Sequence, residues 1–307
     1  MIPDISYLIL NYNPNGEDVA RDVLSATIKT FYERKSQNLR AEVFLLDQGS
    51  PGFHRAWLLE CQEQFGFSSI LLNRNIGISR ALNLFVRMCK SPVIGLITSD
   101  VIITSGMDED LYEIVQIPEV FQATPFTDKS DLDYQIWQPK KNYGEDHPDL
   151  NDLRKEKISF SQRLVGRKTQ RYLRYIGAEF NVMFWRRSVF ERVGYFDEFW
   201  KAAYENNDFS LRCFLAGGCT ALSLGSFVWH YHKVTEKNKS REKTYVGYVD
   251  DWRMEMKRHW DQKWANLDEY INLYKPLGNK TIDDFPELYK RFSDNIYLPF
   301  EQAIEYD

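Results

Sequence analysis

The sequence is poor in cysteine, in basic charge and in long apolar runs, and each shortage excludes something. Four cysteines in 307 residues (Cys61, Cys89, Cys213, Cys219) stand far apart with no C-x-x-C pair. That excludes a disulfide framework and suits a reducing, cytoplasmic setting. Lys and Arg number 39 against 44 Asp and Glu, a net charge of −5 that argues against a general nucleic-acid binder. No run of about 18 apolar residues exists, so no membrane-spanning helix is expected. The opening Met1-Ile2-Pro3-Asp4 has neither the basic nor the apolar region of a signal peptide. Neither G-x-G-x-x-G nor G-x-x-x-x-G-K-[ST] occurs, which removes both common phosphate-loop fingerprints. No internal repeat is present. What the chain has in excess is aromatic side chains, 15% of the total; they need either a core or a binding surface.

The first 125 residues alternate short apolar runs with amphipathic stretches. Strands are expected at Ser6 to Leu10, Glu42 to Leu46, Ser69 to Leu72, Val93 to Ile97 and Val120 to Ala123. Between them, apolar residues recur at helical spacing: Val19, Val23, Leu24, Ile28 and Phe31; Trp57, Leu58, Cys61 and Phe65; Ile78, Ala81, Leu82, Phe85 and Met88; and 108–115. Strands alternating with helices predict an α/β chain, a doubly wound, mostly parallel sheet.

In such sheets ligands bind beyond the carboxyl ends of the strands. Those ends carry Asn11-Tyr12-Asn13, Asp47, Asn73-Arg74-Asn75 and Ser99-Asp100. Asn and Asp also favour turns, but four strands in succession delivering polar residues to one rim read better as a ligand site. With no glycine-rich loop, a divalent cation on Asp100 is one way to hold a diphosphate there.

These residues carry a resemblance. The chain is similar to the family 2 glycosyltransferases, which have the GT-A fold and take a sugar from a nucleotide sugar. Leu10-Asn11-Tyr12-Asn13 resembles the family's nucleotide-contacting start, and Asp47-Gln48-Gly49-Ser50 its D-[DN]-G-S turn. Asn73-Arg74-Asn75-Ile76-Gly77 with Arg80-Ala81-Leu82-Asn83 resembles its N-x-G-x-[AS]-x-A-x-N segment. Ile97-Thr98-Ser99-Asp100-Val101 stands in the place of its D-x-D metal motif. Val193-Gly194-Tyr195-Phe196-Asp197-Glu198 and Tyr204-Glu205-Asn206-Asn207-Asp208 through Arg212 resemble its V-G-x-F-D-E and E-D-x-D-x-x-x-R block. The likeness covers about residues 5–125 and 176–235.

The resemblance implies an inverting transfer from a UDP-, dTDP- or GDP-linked sugar, hexosyl or deoxyhexosyl, to a glycan or glycolipid hydroxyl. It implies a donor site at Asn11, Tyr12, Asn13, Asp47, Asn75, Gly77, Arg80, Ser99 and Asp100. A divalent metal, Mn²⁺ or Mg²⁺, would be held by Asp100 with His230 or His232 of Trp229-His230-Tyr231-His232, His230 fitting the pattern best. An in-line displacement needs a base for the acceptor hydroxyl and a cation for the departing diphosphate. Two positions depart from the family. Thr98 replaces the first Asp of D-x-D, and Asn206 stands where many members carry the base, leaving Glu205 and Asp208 as the nearby carboxylates. Both are expected at a helix start near Asn206 or Asn207, where the helix dipole favours the ionised, weaker base. These departures also leave open a glycosyltransferase-like binding module without turnover.

The remaining chain is expected to divide into an insertion (126–175) and an aromatic-rich helical extension (236–307) behind a catalytic domain of 1–235. The insertion reads as a solvated segment with a helix near Arg167 to Tyr175; a flap, or a peripheral contact with anionic phosphate or lipid headgroups, is the sharper reading of its basic half. In the extension, Tyr248, Trp252, Met256, Trp260 and Trp264 recur in steps of four, a packing face or a sugar platform. Lys263-Trp264 and the following Tyr274-Lys275-Pro276 resemble the K-W-G … P-F tail of some rhamnosyl- and related transferases, with Ala265 in place of the glycine. His54, His147 and His259 show no partner pattern, and Tyr12, Trp229 and Tyr204 are the aromatics expected at the site.

Overall fold

A computed structural model describes residues 2–16, 18–128, 135, 171–201, 203–231 and 254–299. A nine-stranded sheet runs through it. The first half is built as the sequence pattern predicts: β1 (Ile5–Asn11), α1 (Asp18–Arg34), β2 (Ala41–Gln48), α2 (Gly52–Phe65), β3 (Ser68–Leu72), α3 (Ile78–Met88) and β4 (Val93–Thr98). After these come β5 (Val101–Ile103), α4 (Met107–Val115), β6 (Val120–Thr127), β7 (Tyr172–Tyr175), β8 (Val182–Arg186), α5 (Arg187–Val193), α6 (Glu205–Leu215) and β9 (Cys219–His230). A helix over 254–263, here α7, and α8 (Pro286–Phe292) complete the described elements.

The strand order is β3-β2-β1-β4-β8-β6-β9-β5, with β7 on β9. Pairings β2–β3, β1–β2, β1–β4 and β6–β9 are parallel, whereas β4–β8, β6–β8, β5–β9 and β7–β9 are antiparallel. The sheet is therefore parallel in its first half and mixed in its second. Strand β1 is buried along its whole length, as a central strand covered on both faces must be. Its alternation sends Ile5, Tyr7 and Ile9 into one apolar cluster and Leu8 and Leu10 into another. The first cluster takes in α1, α4 and, from the far end of the chain, Trp264, Leu267, Ile271, Leu277, Leu288 and Phe292. The second takes in α3 and α5.

Two local expectations are corrected. The end of the segment read as a helix near Arg167 to Tyr175 is strand β7, because Leu173 and Tyr175 pack with Leu222 on β9; 167–170 lie outside the described residues. Helix α6 begins at Glu205, one residue earlier than expected, since the Tyr204 carbonyl already accepts the Asp208 amide at 2.8 Å. No helix among the described residues is long and apolar enough to cross a membrane.

Candidate active site

The parallel register places Asn11 opposite Asp47 at the ends of β1 and β2. Asn11 Nδ2 donates to Asp47 Oδ1 at 2.8 Å, and the Ser50 amide donates to Asp47 Oδ2 at 3.0 Å. The Ser50 hydroxyl also bonds Asp47, and the Asn13 amide donates to that hydroxyl at 3.2 Å. Asn11, Asn13, Asp47 and Ser50 are all buried, with Tyr12 half-buried between them. The sequence-derived donor residues of the first two strands thus form one connected group. They are tied to the third: the Ile76 amide donates to Gln48 Oε1 at 3.2 Å, and Gly49, at φ 88°, lies against the Arg74 backbone.

His54 joins this group without having been expected there. Its Nε2 lies 3.2 Å from Asn11 Nδ2, so the ring accepts, and its Nδ1 is buried without a hydrogen-bond partner. Burial pushes the imidazole below its ordinary value, Asp47 opposing and Arg21 reinforcing the shift. The sequence signal was the position itself, the first turn of the helix after the D-x-G-S turn.

Beyond β3, Gly77 (φ 86°) packs on the Lys201 backbone, where an added Cβ would lie 3.0 Å from Lys201 Cα. The Ile78 amide donates to Lys201 O at 3.0 Å, and the Gly77 amide to Asn75 Oδ1 at 2.8 Å. Arg80, expected to face phosphate, has Nε 3.4 Å from Glu198 Oε2, an ion pair whose angle does not make a hydrogen bond. Here the arginine is engaged by the V-G-Y-F-D-E loop.

At the end of β4 the chain passes through Ser99, whose carbonyl accepts the Thr27 hydroxyl at 3.1 Å, to Asp100. The β5–β9 register sets His230 opposite Val101. Asp100 Oδ2 and His230 Nε2 are 3.4 Å apart, and Asp128 Oδ1 accepts the His230 amide at 2.8 Å. Neighbouring ligands of an octahedral divalent cation stand about 3 Å apart, so a carboxylate oxygen and an imidazole nitrogen at this spacing fit one ion. Among the described residues, no group of three or more His, Cys, Asp and Glu forms a complete metal cage. His232 lies outside the described residues. Trp229, expected to be a stacking surface, is buried edge-on against Phe227 instead.

Segment 178–181 carries the other half of the site. The Asn181 carbonyl accepts both the Thr98 amide (2.9 Å) and its hydroxyl (3.1 Å), fixing the segment to the end of β4. The Ala178 carbonyl accepts Asn206 Nδ2 at 3.2 Å, fixing it to the start of α6. Asn206, where the family's base is expected, is an amide tied to backbone.

The two carboxylates of α6 differ sharply. Asp208 is fully buried; Oδ2 accepts Arg212 Nε at 2.9 Å, and Oδ1 accepts Trp264 Nε1 at 3.0 Å and is ion-paired with Lys263 Nζ at 2.7 Å. Every oxygen is committed. Glu205 is buried with Oε2 unpartnered, and burial, reinforced by Glu179 and opposed by its own amide, pushes its carboxyl from the ordinary 4.5 up to about 7. The helix dipole was expected to favour the ionised form. It contributes roughly 0.3–1 kcal/mol, whereas the net rise corresponds to about 3 kcal/mol in the opposite direction. Burial wins.

A model of the glycosyl transferase family 2 matches residues 6–194, more than half of the chain, from β1 to the end of α5. The chain belongs to glycosyl transferase family 2. Comparison with curated proteins finds no match. Among solved structures, GalNAc-T7 with UDP, GalNAc and Mn²⁺ is similar with a TM-score of 0.55 at 16% identity, over 75% of this chain and 44% of that one. S. aureus TarS 1–349 gives 0.50 at 12% identity, over 74% and 60%. The longer S. aureus TarS structure gives 0.50 at 13%, over 74% and 36%. The likeness establishes the GT-A fold. This family 2 chain spans 44% of GalNAc-T7 and 60% of TarS 1–349, and its own α6, β9, α7 and α8 lie beyond the matched residues.

Proposed function

We propose that this protein is an inverting glycosyltransferase that moves a sugar from a nucleoside-diphosphate sugar to a glycan or glycolipid hydroxyl, with Glu205 as the base. The observation that carries the reading is the state of Glu205: a buried carboxylate with one oxygen unpartnered and a pKa of about 7. A general base works best when its pKa lies near the operating pH. Asp208 has no free oxygen, and its role is to hold α6 in place.

The donor nucleotide is assigned to the Asn11, Tyr12, Asn13 and Asp47 end of the sheet, with Asn75, Gly77 and Ser99 lining the diphosphate path. A divalent cation on Asp100 and His230, when bound, would neutralise the departing diphosphate. Glu205 takes the proton of the acceptor hydroxyl at Oε2 as the new glycosidic bond forms. The half-buried Glu179 keeps a second negative charge nearby, which favours the protonated product of that step. Arg80 exchanges Glu198 for phosphate oxygen only if the 194–201 loop shifts.

A second reading, a nucleotide-sugar-binding module without turnover, rests on Thr98 and on the tied amide of Asn206. One experiment separates the two. Thermal-shift screening of UDP-, dTDP- and GDP-sugars with and without Mn²⁺ identifies the donor, and nucleoside-diphosphate release with acceptor glycans is then measured. Glu205→Gln is expected to keep donor binding and lose turnover by about 10²–10⁴-fold. Wild-type turnover in Glu205→Gln would remove the base assignment, and no release by the wild type with any bound donor would favour the module.

A further inference from the structure

Helix α6 starts under conditions that do not favour a helix. Its N-cap residue, Tyr204, has φ 68°, one of only two positive values at non-glycine residues among those described, and supplies no side-chain cap. A left-handed tyrosine costs roughly 1–2 kcal/mol, and a missing cap about 1 kcal/mol more. Something outside α6 must hold the turn that carries Glu205.

Helix α7 supplies it. Trp260 stacks on Tyr204 with ring centroids 5.3 Å apart and planes 24° from parallel, while Trp200 packs on the same tyrosine at 5.7 Å. One helical turn on, Trp264 Nε1 donates to Asp208 Oδ1 and Lys263 Nζ forms an ion pair with it. Trp260 and Trp264 are four residues apart, as are Tyr204 and Asp208, so the two segments meet at matching helical spacing. Glu205 lies between the two pinned residues. The same face of α7 also fixes the neighbouring loop: Asp197 Oδ2 accepts Lys263 at 2.9 Å and lies 3.2 Å from His259 Nε2, with the His259 ring stacked on Phe199 at 4.1 Å. Burial alone would raise the Asp197 carboxyl, but Lys263, the Phe199 amide and His259 hold it below the usual carboxylate range. Lys263 is itself fixed from behind, its carbonyl accepting Asn295 Nδ2 at 3.0 Å.

We infer that α7, which like α6 itself lies beyond the family 2 match, is part of the acid–base machinery of this enzyme: Trp260 and Lys263 are positioning residues that hold the first turn of α6 and keep Glu205 out of water. The inference rests on Glu205 being the base, but its structural content does not. Trp260 touches Tyr204 and not the reacting groups; it acts by holding a backbone conformation. Lys263 acts by binding Asp208 and Asp197 at once, which joins the helix start to the loop before it. Loosening either contact lets water reach the Glu205 carboxyl, and a hydrated carboxyl returns toward its ordinary value.

The test reads the ionisation of Glu205 directly. The full chain is labelled with carboxyl-¹³C glutamate, and the Glu205 resonance is identified by its loss in Glu205→Gln. Its midpoint is expected near 7 in the wild type. Trp260→Leu and Lys263→Met should each lower that midpoint by about one pH unit or more, with Trp260→Tyr restoring it through a ring that can still stack. Circular dichroism checks that each variant is folded; should Trp260→Leu fail to fold, Trp260→Met, which has no ring to stack, and Lys263→Met make the comparison. An unmoved midpoint in folded variants at both positions overturns the inference. Turnover retained in Glu205→Gln would instead defeat the base assignment and leave this titration unaffected, so the two failures are distinguishable.

Discussion

Arg212 Nε donates to Asp208 Oδ2 at 2.9 Å, and neither side chain reaches solvent. Arg212 also donates to the carbonyls of Val193 (2.7 Å) and Tyr195 (2.7 Å), so one guanidinium joins α6 to the end of α5 and the loop beyond it. Breaking a buried pair by removing one partner strands a charge and costs about 3–5 kcal/mol. Asp208→Ala should therefore lower the urea unfolding free energy by that order, because Arg212 loses its carboxylate and Lys263 one of its two. Asp208→Asn retains the shape and should cost less. Equal stability of Asp208→Ala and wild type would mean that this carboxylate is not the structural hub described.

The D-Q-G-S turn gives a second stability prediction. Gly49 has φ 88°, and a Cβ there would lie 2.9 Å from Arg74 Cα, a backbone atom that cannot swing away. Gly49→Ala is expected to destabilise by about 1–3 kcal/mol, combining left-handed strain with overpacking. Because Gly49 separates Asp47 from Ser50 and touches the Asn73–Asn75 loop, the same variant should also weaken nucleotide binding. Calorimetric unfolding and a nucleotide titration on the same sample check both halves; a stable variant would show that the two loops can separate freely.

The first half of the fold was legible because each β-α unit buries its own local pattern. The Asn11–Asp47 contact follows from parallel register alone once both residues sit at strand ends. The second half was not legible in the same way. Strand β8 is five residues long and runs straight into α5, and its partners β4 and β6 are assigned by pairing across scores of residues. Trp229 looked like a platform because it begins W-H-Y-H, yet its ring belongs to a buried apolar cluster with Ala26 of α1, Phe126 of β6 and Phe227, so it is core. Asp208 looked like a candidate base because Lys263 and Trp264, which consume its oxygens, lie more than fifty residues away in sequence. Local spacing cannot show such a partner. Conversely, the steps of four that marked Met256, Trp260 and Trp264 did foretell a packing face.

The Asp100–His230 pair makes a prediction about metal dependence. A carboxylate and an imidazole 3.4 Å apart would supply two ligands to a cation, and a bound diphosphate would supply more. Nucleoside-diphosphate affinity should rise with Mn²⁺ in the wild type. Asp100→Ala should remove that increment, a loss of about tenfold or more, and His230→Ala should reduce it. Isothermal titration with UDP and GDP, each with Mn²⁺ and with chelator, measures the increment. Metal-independent affinity that is the same in wild type and Asp100→Ala would exclude the pair as a cation site.

Glu205 sets a pH dependence whose sign can be worked out. Its folded pKa of about 7 lies above the ordinary 4.5 of an unfolded chain. Between those values the folded state binds a proton that the unfolded state does not, so stability falls as pH rises through the window. The group's favourable contribution is complete below about 4.5 and lost by about pH 7, and it then stays lost at higher pH. The difference amounts to about 3 kcal/mol for this one carboxyl. Glu205→Gln carries no titrating proton at this position and should lack this contribution to the slope. Urea unfolding from pH 5 to pH 8 should therefore show Glu205→Gln gaining on the wild type as pH rises, with most of the gain between pH 5 and 7. Parallel curves for the two proteins across that range would mean that Glu205 is not held protonated by burial, and the reason for preferring it as the base would go with it.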